Sequence, residues 1–157
     1  MKKIFIALVA VFAMSTMANA QLKDLGVRIG GGEGFGTELS AQWGLNANRL
    51  EFDLGWHSDT GYDEFNLSGI YQWMGDLGSG FNWFAGFGAR VAMWSYDYAG
   101  AGSDFAAALA GQAGIEYNFE EVPIQLTLDI RPCFWLITPG DPTFKWGDIA
   151  LGIRYRF

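Results

Sequence analysis

His57 is the only histidine in the chain, and Ser58 and Asp59 follow it directly. Serine, histidine and a carboxylate are the groups of a hydrolase triad, in which the histidine takes the proton of the nucleophile. Neighbouring residues of an extended strand point to opposite faces, so these side chains would meet only in a loop. The pattern therefore favours a polar strand or loop segment over a catalytic site.

Residues 30–36 are rich in glycine, as phosphate-binding loops are. The segment matches neither GxGxxG nor GxxxxGK[ST], and no helical pattern follows it. A tight glycine turn accounts for it better than a nucleotide site does.

Two further groups have metal or thiol chemistry. Asp59, Asp63 and Glu64 offer oxygen ligands for Ca²⁺, but the spacing of an EF-hand loop is absent. Cys133 is the single cysteine, so a disulfide within the chain is impossible. We expect a free structural thiol, no cofactor, no metal and no enzymatic activity.

Alternation of apolar and polar residues is the main signal in the chain. From Leu50 to His57, and again from Ile149 to Phe157, every second residue is large and apolar. A period of two indicates β-strands with one apolar face. The sequence predicts eight strands, at residues 24–32, 37–45, 49–57, 64–73, 81–92, 105–118, 124–131 and 148–157.

The opposite face of these strands carries small residues and charges. Eight strands leave a lumen only just wide enough for ordinary side chains, so the small face is predicted to point inward. The apolar face then points outward, which only a bilayer accepts. Aromatic residues cluster at both strand ends, as at two membrane interfaces.

Inward charges must be paired, because an isolated buried charge is too costly. We therefore expect an ion-pair network that plugs the lumen, with Arg90–Glu64 and Arg131–Asp148 as neighbour-strand pairs. The predicted members are Arg28, Glu38, Glu51, Asp53, Glu64, Arg90, Glu116, Asp129, Arg131, Asp148 and Arg154.

Residues 1–20 are predicted to be a secretory signal peptide, with two lysines, a short apolar run and the small-x-small site Ala18-Asn19-Ala20. Residues 21–157 are predicted to form one domain. The chain has 10 basic and 17 acidic residues, which makes nucleic acid a poor partner. No later stretch of eighteen consecutive apolar residues exists, which excludes a helical span.

The final strand carries a resemblance to a known family. Ile153, Tyr155 and Phe157 lie on its apolar face, and the sequence ends on Phe157. This strand resembles the closing strand and assembly signal of small bacterial outer-membrane β-barrel proteins of the OmpA/OmpX-like class. The resemblance implies an all-β, eight-stranded antiparallel up-and-down transmembrane barrel, located in the bacterial outer membrane and monomeric. Its implied partners are outer-membrane lipid and the barrel-assembly machinery.

Three functions follow from these expectations. The first is an integral outer-membrane barrel with a plugged polar lumen, in a structural or surface-interaction role rather than as an open pore. The second is a lipid-modifying outer-membrane enzyme that uses His57. The third is a soluble periplasmic lipocalin-like binder, in which the apolar face would point inward.

Overall fold

The computed structural model describes residues 21–31, 36–59, 62–96, 103–138, 140–147 and 149–157. The predicted signal peptide lies outside these residues. The regular elements of the described part are ten strands, and it holds no helix long and apolar enough to cross a membrane. The strands are β1 (Gln21–Gly31), β2 (Thr37–Leu45), β3 (Asn48–Asp59), β4 (Tyr62–Gly78), β5 (Phe81–Tyr96), β6 (Ser103–Asn118), β7 (Ile124–Ile130), β8 (Cys133–Ile137), β9 (Thr143–Lys145) and β10 (Ile149–Arg156).

The strands close into one antiparallel barrel. Their order is β5-β4-β3-β2-β1-β10-β7-β6, and the pairing of β5 with β6 completes the circle. β8 continues β7 along β6, and β9 pairs with β8. The seventh barrel strand is therefore β7 with β8, and the eighth is β9 with β10. This confirms the predicted all-β, eight-stranded antiparallel barrel.

The strands β4, β5 and β6 are longer than the alternation predicted. β4 runs to Gly78, whereas the prediction ended it at Trp73. Met74 pairs with Phe84 and Gly75 with Trp83, so the ladder continues where the apolar pattern fades. The turn needs only Ser79 and Gly80. Backbone pairing with β5 satisfies the peptide groups whatever the side chains are.

Residues 132–147, which the prediction left outside the strands, contain the hairpin of β8 and β9, so the prediction was partly wrong there. Pro132 has no N–H to give to the ladder, and it separates β7 from β8. Its carbonyl oxygen still accepts a hydrogen bond from the Gly111 amide at 2.8 Å. Gly147 has a φ of 78°, and a Cβ there would lie 1.6 Å from the Arg131 carbonyl oxygen. Only glycine fits this bend of the eighth strand.

Burial along the strands shows an apolar wall around a polar interior. In β10, Ala150, Gly152 and Arg154 are buried, while Ile149 and Leu151 are exposed. The same alternation runs through β2, β6 and β7. The three largest fully buried side chains in the described part are all arginines. The apolar face therefore points outward, as predicted.

Aromatic rings lie in contact with one another on the outer wall. At the end with the short turns, Tyr117 packs against Phe81 and Phe119, with centroids 4.6 and 4.8 Å apart. At the other end, Phe144 and Trp146 meet edge to face at 5.2 Å. Such pairs add to the energy of burial through the quadrupoles of their rings.

The interior side of β5 leaves no space for an additional methyl group at Gly88. A Cβ there would lie 1.9 Å from the Gly69 carbonyl oxygen. We predict that Gly88→Ala lowers the free energy of unfolding by about 1–3 kcal/mol through overpacking. Urea unfolding in detergent micelles, followed by tryptophan fluorescence, measures this. Ala89→Val, next to it on the exposed face, is the matched control and is expected to leave stability unchanged. Equal losses for both variants would contradict the steric account.

Candidate functional site

The polar interior gathers most of the buried charges of the described residues. Residues on one face of the barrel strands point inward, so side chains from many strands share one space. Each charged side chain named here is at most 4% exposed. They are the arginines Arg28, Arg49, Arg90, Arg131 and Arg154 and the acids Asp24, Glu38, Glu51, Asp53, Glu116 and Asp129.

Arg131 connects the seventh strand to the far side of the barrel. Its guanidinium donates to Glu38 at 3.1 Å, to Glu51 at 3.2 Å and to Asp53. It also donates to the Ser68 hydroxyl at 2.9 Å. These partners belong to β2, β3 and β4, so one side chain crosses the lumen.

Glu38 is shared by three arginines. Besides Arg131, it accepts from Arg28 at 3.0 Å and from Arg90 at 3.2 Å. Arg28 also binds Asp129 at 2.7 Å. The four strands that carry these arginines and Glu38 are thereby joined through one carboxylate, which is neutralised by more than one cation.

Glu51 is the second shared acid. Arg154 donates to it at 3.0 Å from β10, and also to Ser40 at 2.9 Å. The amide groups of Gln42 and Gln112 donate to Glu51 at 2.6 and 2.8 Å. Each oxygen of this buried carboxylate therefore has a donor, which is the condition for a stable buried charge.

A third cluster lies toward the short turns. Arg49 binds Glu116 and Gln72, and its guanidinium lies 4.8 Å from the centroid of the Phe84 ring. Gln72 donates to Gln112 at 2.8 Å, which links this cluster to Glu51. The ion pairs of the interior thus form one connected network.

The structure brings together nine of the predicted network residues by direct contacts or through glutamines. They are Arg28, Glu38, Glu51, Asp53, Arg90, Glu116, Asp129, Arg131 and Arg154. Glu64 is half-buried in β4, and its pairing with Arg90 stays a prediction. Asp148 lies outside the described residues, so the pair Arg131–Asp148 also stays a prediction.

The sequence prediction omitted Arg49, Asp24 and the interior glutamines. Arg49 stands two residues before Glu51, so the period of two already placed it on the inward face. Gln42, Gln72 and Gln112 follow the same rule. Charge alone does not single them out, but an uncharged amide both donates and accepts and can join two ion pairs.

The residues considered for catalysis give no assembled site. His57 pairs with Glu64 along the backbone of β3 and β4, but the side chains of residues 57–59 lie outside the described part. Cys133 is buried and in no disulfide; it packs near Ile70 and Ala110. The described residues contain no group of three or more His, Cys, Asp or Glu side chains placed to hold a metal.

The end of the last strand is hydrogen-bonded on both sides. The amide of Arg156 donates to the Pro123 carbonyl, and that of Phe157 to the Lys23 carbonyl, both at 2.9 Å. Tyr155 and Phe157 are exposed on the wall, with ring centroids 5.2 Å apart. Ile153 lies on the same exposed face. Their role as an assembly signal stays a prediction.

Comparison with solved structures finds a similar fold in the crystal structure of Neisserial surface protein A (NspA). The TM-score is 0.55 at 16% sequence identity, over 87% of this chain and 95% of that chain. No protein-family model and no curated protein sequence matches the chain. At this identity the likeness establishes the fold alone. The fold is that of the small eight-stranded outer-membrane barrels, as the closing strand predicted.

Arg131 is expected to be the most sensitive position of the network. Arg131→Met takes one cation from Glu38 and from Glu51, which keep other arginines, and leaves the buried Asp53 without its arginine, so we predict a loss of about 3–5 kcal/mol in the free energy of unfolding. Adding Asp53→Asn to this variant removes one uncompensated charge and is expected to restore part of the lost free energy of unfolding.

Urea titration of the refolded protein measures both variants. Lys145→Met is the matched control, because it removes a cation from an exposed site, and it is expected to change stability by no more than about 0.5 kcal/mol. A loss at Arg131 no larger than at Lys145 would contradict the interior network as a source of stability.

Proposed function

We propose that the protein is an integral protein of the bacterial outer membrane, with a lumen sealed by its ion-pair network and a structural or surface-contact role. The observation that carries the proposal is that large apolar side chains are exposed and charged ones are buried, the reverse of a soluble protein. Trp56 and Phe87 are 74% and 64% exposed, while Arg28 and Arg131 are 0% exposed. In water this arrangement would leave an apolar surface far larger than a soluble monomer tolerates.

The height of the apolar wall supports a membrane location. On β5 the exposed face is apolar from Phe81 to Met93. These 13 residues cover about 40 Å of strand, which at a tilt of about 40° spans about 30 Å. That length matches the hydrocarbon thickness of a bilayer. The short turns after β2 and β4 then face the periplasm.

The contacts within the lumen support a sealed barrel rather than a pore. Arg131 reaches three acids on other strands, and Arg154 and Gln112 fill the space around Glu51. An ion that entered would have to break several charge-assisted hydrogen bonds, which are the strongest in proteins. We therefore propose that the barrel does not conduct ions, and we propose no catalytic step for it.

The proposed partners are lipid along the wall and the assembly machinery at the last strand. The assembly machinery would recognise the last strand, at Ile153, Tyr155 and Phe157, before the barrel closes. Once the barrel is formed, β10 has partners on both edges. We propose that the folded protein is a monomer, since closing the barrel leaves no long edge for another chain.

Lipid exposure of neighbouring residues tests the membrane location. In a Cys133→Ala background we expect Leu151→Cys to react with a thiol reagent confined to the bilayer, because Leu151 is on the wall. Ala150→Cys, buried on the inward face, is expected to stay unmodified. A soluble lipocalin-like binder would instead remain in the aqueous fraction on extraction. Reaction at residue 150 rather than at residue 151 would show that the apolar face does not meet the lipid.

Ion conductance tests the sealed lumen separately. The refolded protein in planar lipid bilayers is expected to show no steady conductance on the nanosiemens scale of a wide porin. Urea-unfolded protein added at the same concentration controls for leaks from incomplete insertion. Steady, reproducible channels from the folded protein would refute the seal while leaving the membrane location intact.

A further inference from the structure

The hairpin of β4 and β5 extends past the neighbouring strand β3 at the short-turn end of the barrel. The ladder between β3 and β4 ends where Arg49 pairs with Gln72, whereas the ladder between β4 and β5 continues to the pair of Gly78 with Phe81. Within the described part, residues 74–77 of β4 are therefore in a ladder with β5 alone; we call them the overhang. At about 3.3 Å per residue, the overhang offers about 13 Å of free strand edge.

The closing strand β10 also ends near the short turns, and it is paired differently. Tyr155 pairs with Ile124 of β7 on one side, and Arg156 pairs with Asp24 of β1 on the other. The Phe157 amide still donates to a backbone carbonyl at 2.9 Å. Both edges of β10 are thus used to its end, so the free edge of the overhang is a local feature of β4.

A free edge presents backbone donors and acceptors that another strand can bind. In an antiparallel ladder, every second residue directs its N–H and C=O groups to a given side. Such an edge is a template for the backbone of another segment. Asp76 and Leu77 are exposed. Met74, Gly75 and Asp76 also line a cavity of about 720 Å³ beside the turn after β2, so the edge adjoins open space.

The charges around this cavity balance one another, which favours an uncharged segment. Each arginine of the lining lies beside a carboxylate: Arg49 beside Glu116, and Arg156 beside Asp24 at 3.6 Å. The lining also has one lysine and one further aspartate, which are opposite in sign. A charged ligand would meet no surplus of the opposite charge, so backbone hydrogen bonds must supply most of the affinity.

The outward side of the overhang is apolar. Gly75 pairs with Trp83, and the indole of Trp83 lies across Gly75, where a Cβ would overlap the indole nitrogen. Trp83 is 42% exposed, so part of its ring is open to a neighbour. A residue of an added strand opposite Gly75 would lie beside this ring, and an apolar side chain would bury area there.

A second copy of the chain cannot supply this strand by pairing its own overhang. Two identical edges pair only when the strands run in opposite directions. Copies inserted in one membrane share one orientation, so β4 runs toward the short turns in each of them. The added strand must therefore come from a different molecule. This step rests on the proposed function, whereas the free edge does not.

We propose that the overhang binds an extended peptide segment of a periplasmic protein, which adds to β4 as an antiparallel strand in line with β3. The segment is uncharged over about four residues, which is the length of the overhang, and apolar opposite Gly75. That the partner is periplasmic rests on the proposed function. Strand addition itself needs only the folded barrel.

Two backbone-methylated peptides test the strand addition. The probe is N-acetyl-Ser-Val-Ser-Val carboxamide, titrated into the refolded full-length chain in detergent micelles and followed by amide NMR. Methylation of the two valine nitrogens and methylation of the two serine nitrogens remove donors from opposite edges of the peptide. We expect one methylated peptide to bind about tenfold more weakly than the other. Equal affinities, or no binding of the unmethylated probe at about 10 mM, overturn the proposal.

Hydrogen exchange of the barrel amides locates the binding. The unmethylated probe is expected to slow exchange at alternate residues of the overhang at least about tenfold. The amide of Tyr155 is the internal control and is expected to stay unchanged, because β10 is paired on both edges. Overhang amides that become protected without peptide as the protein concentration rises would assign the edge to a second copy and refute the proposal.

Two tryptophan variants test the apolar contact. Trp83→Ala removes the ring beside the added strand and is expected to weaken the probe about three- to tenfold. Trp56→Ala removes a ring that is 74% exposed at the other end of the barrel and is expected to leave affinity unchanged. Equal effects of the two variants would contradict the contact. None of these outcomes alters the bilayer labelling at residue 151, so the two proposals are tested separately.

Discussion

The structure depends on the pairing of guanidinium groups with carboxylates in the interior of the barrel, where these side chains are almost completely buried. A charge moved from water into such a space is unfavourable by several kcal/mol unless partners surround it. Glu38, with three arginines around it, and Arg131, with three acids, meet this condition by sharing. Because the partners lie on different strands, the network also holds the barrel circumference together.

The apolar outer wall and the polar interior both follow from closing a sheet whose two faces differ. A strand shows its two faces to different surroundings, and closing the sheet sends one face to the lumen. Large side chains on the outer face then have room, whereas the inner face must alternate long arginines with glycine and alanine. Gly152, for example, lies where a Cβ would come within 2.2 Å of the Thr127 hydroxyl, whose oxygen accepts from Arg154. Space left by glycine is occupied by a guanidinium.

The pairing of the interior groups is incomplete at both heights of the lumen. Near Glu38 and Glu51, Asp53 Oδ1 and Arg131 Nε have no hydrogen-bond partner, and toward the short turns Arg49 Nη2 has none. Asp53 still contacts Arg131, and Arg49 still contacts Glu116. Each of these charges therefore has an opposite charge beside it, although single donor and acceptor atoms are left unused.

The sequence by itself determined the number of barrel strands, the direction of the apolar face and the residue types inside, since these depend only on a period of two and on the size of the side chains. Strand lengths beyond the alternation, as in β4 and the hairpin of β8 and β9, were decided by backbone pairing with neighbours. The partners of each charge were decided by the tertiary structure. The stagger between strands sets which inward positions share a height, so Arg131 meets Asp53 across the lumen, a residue 78 positions earlier in the chain.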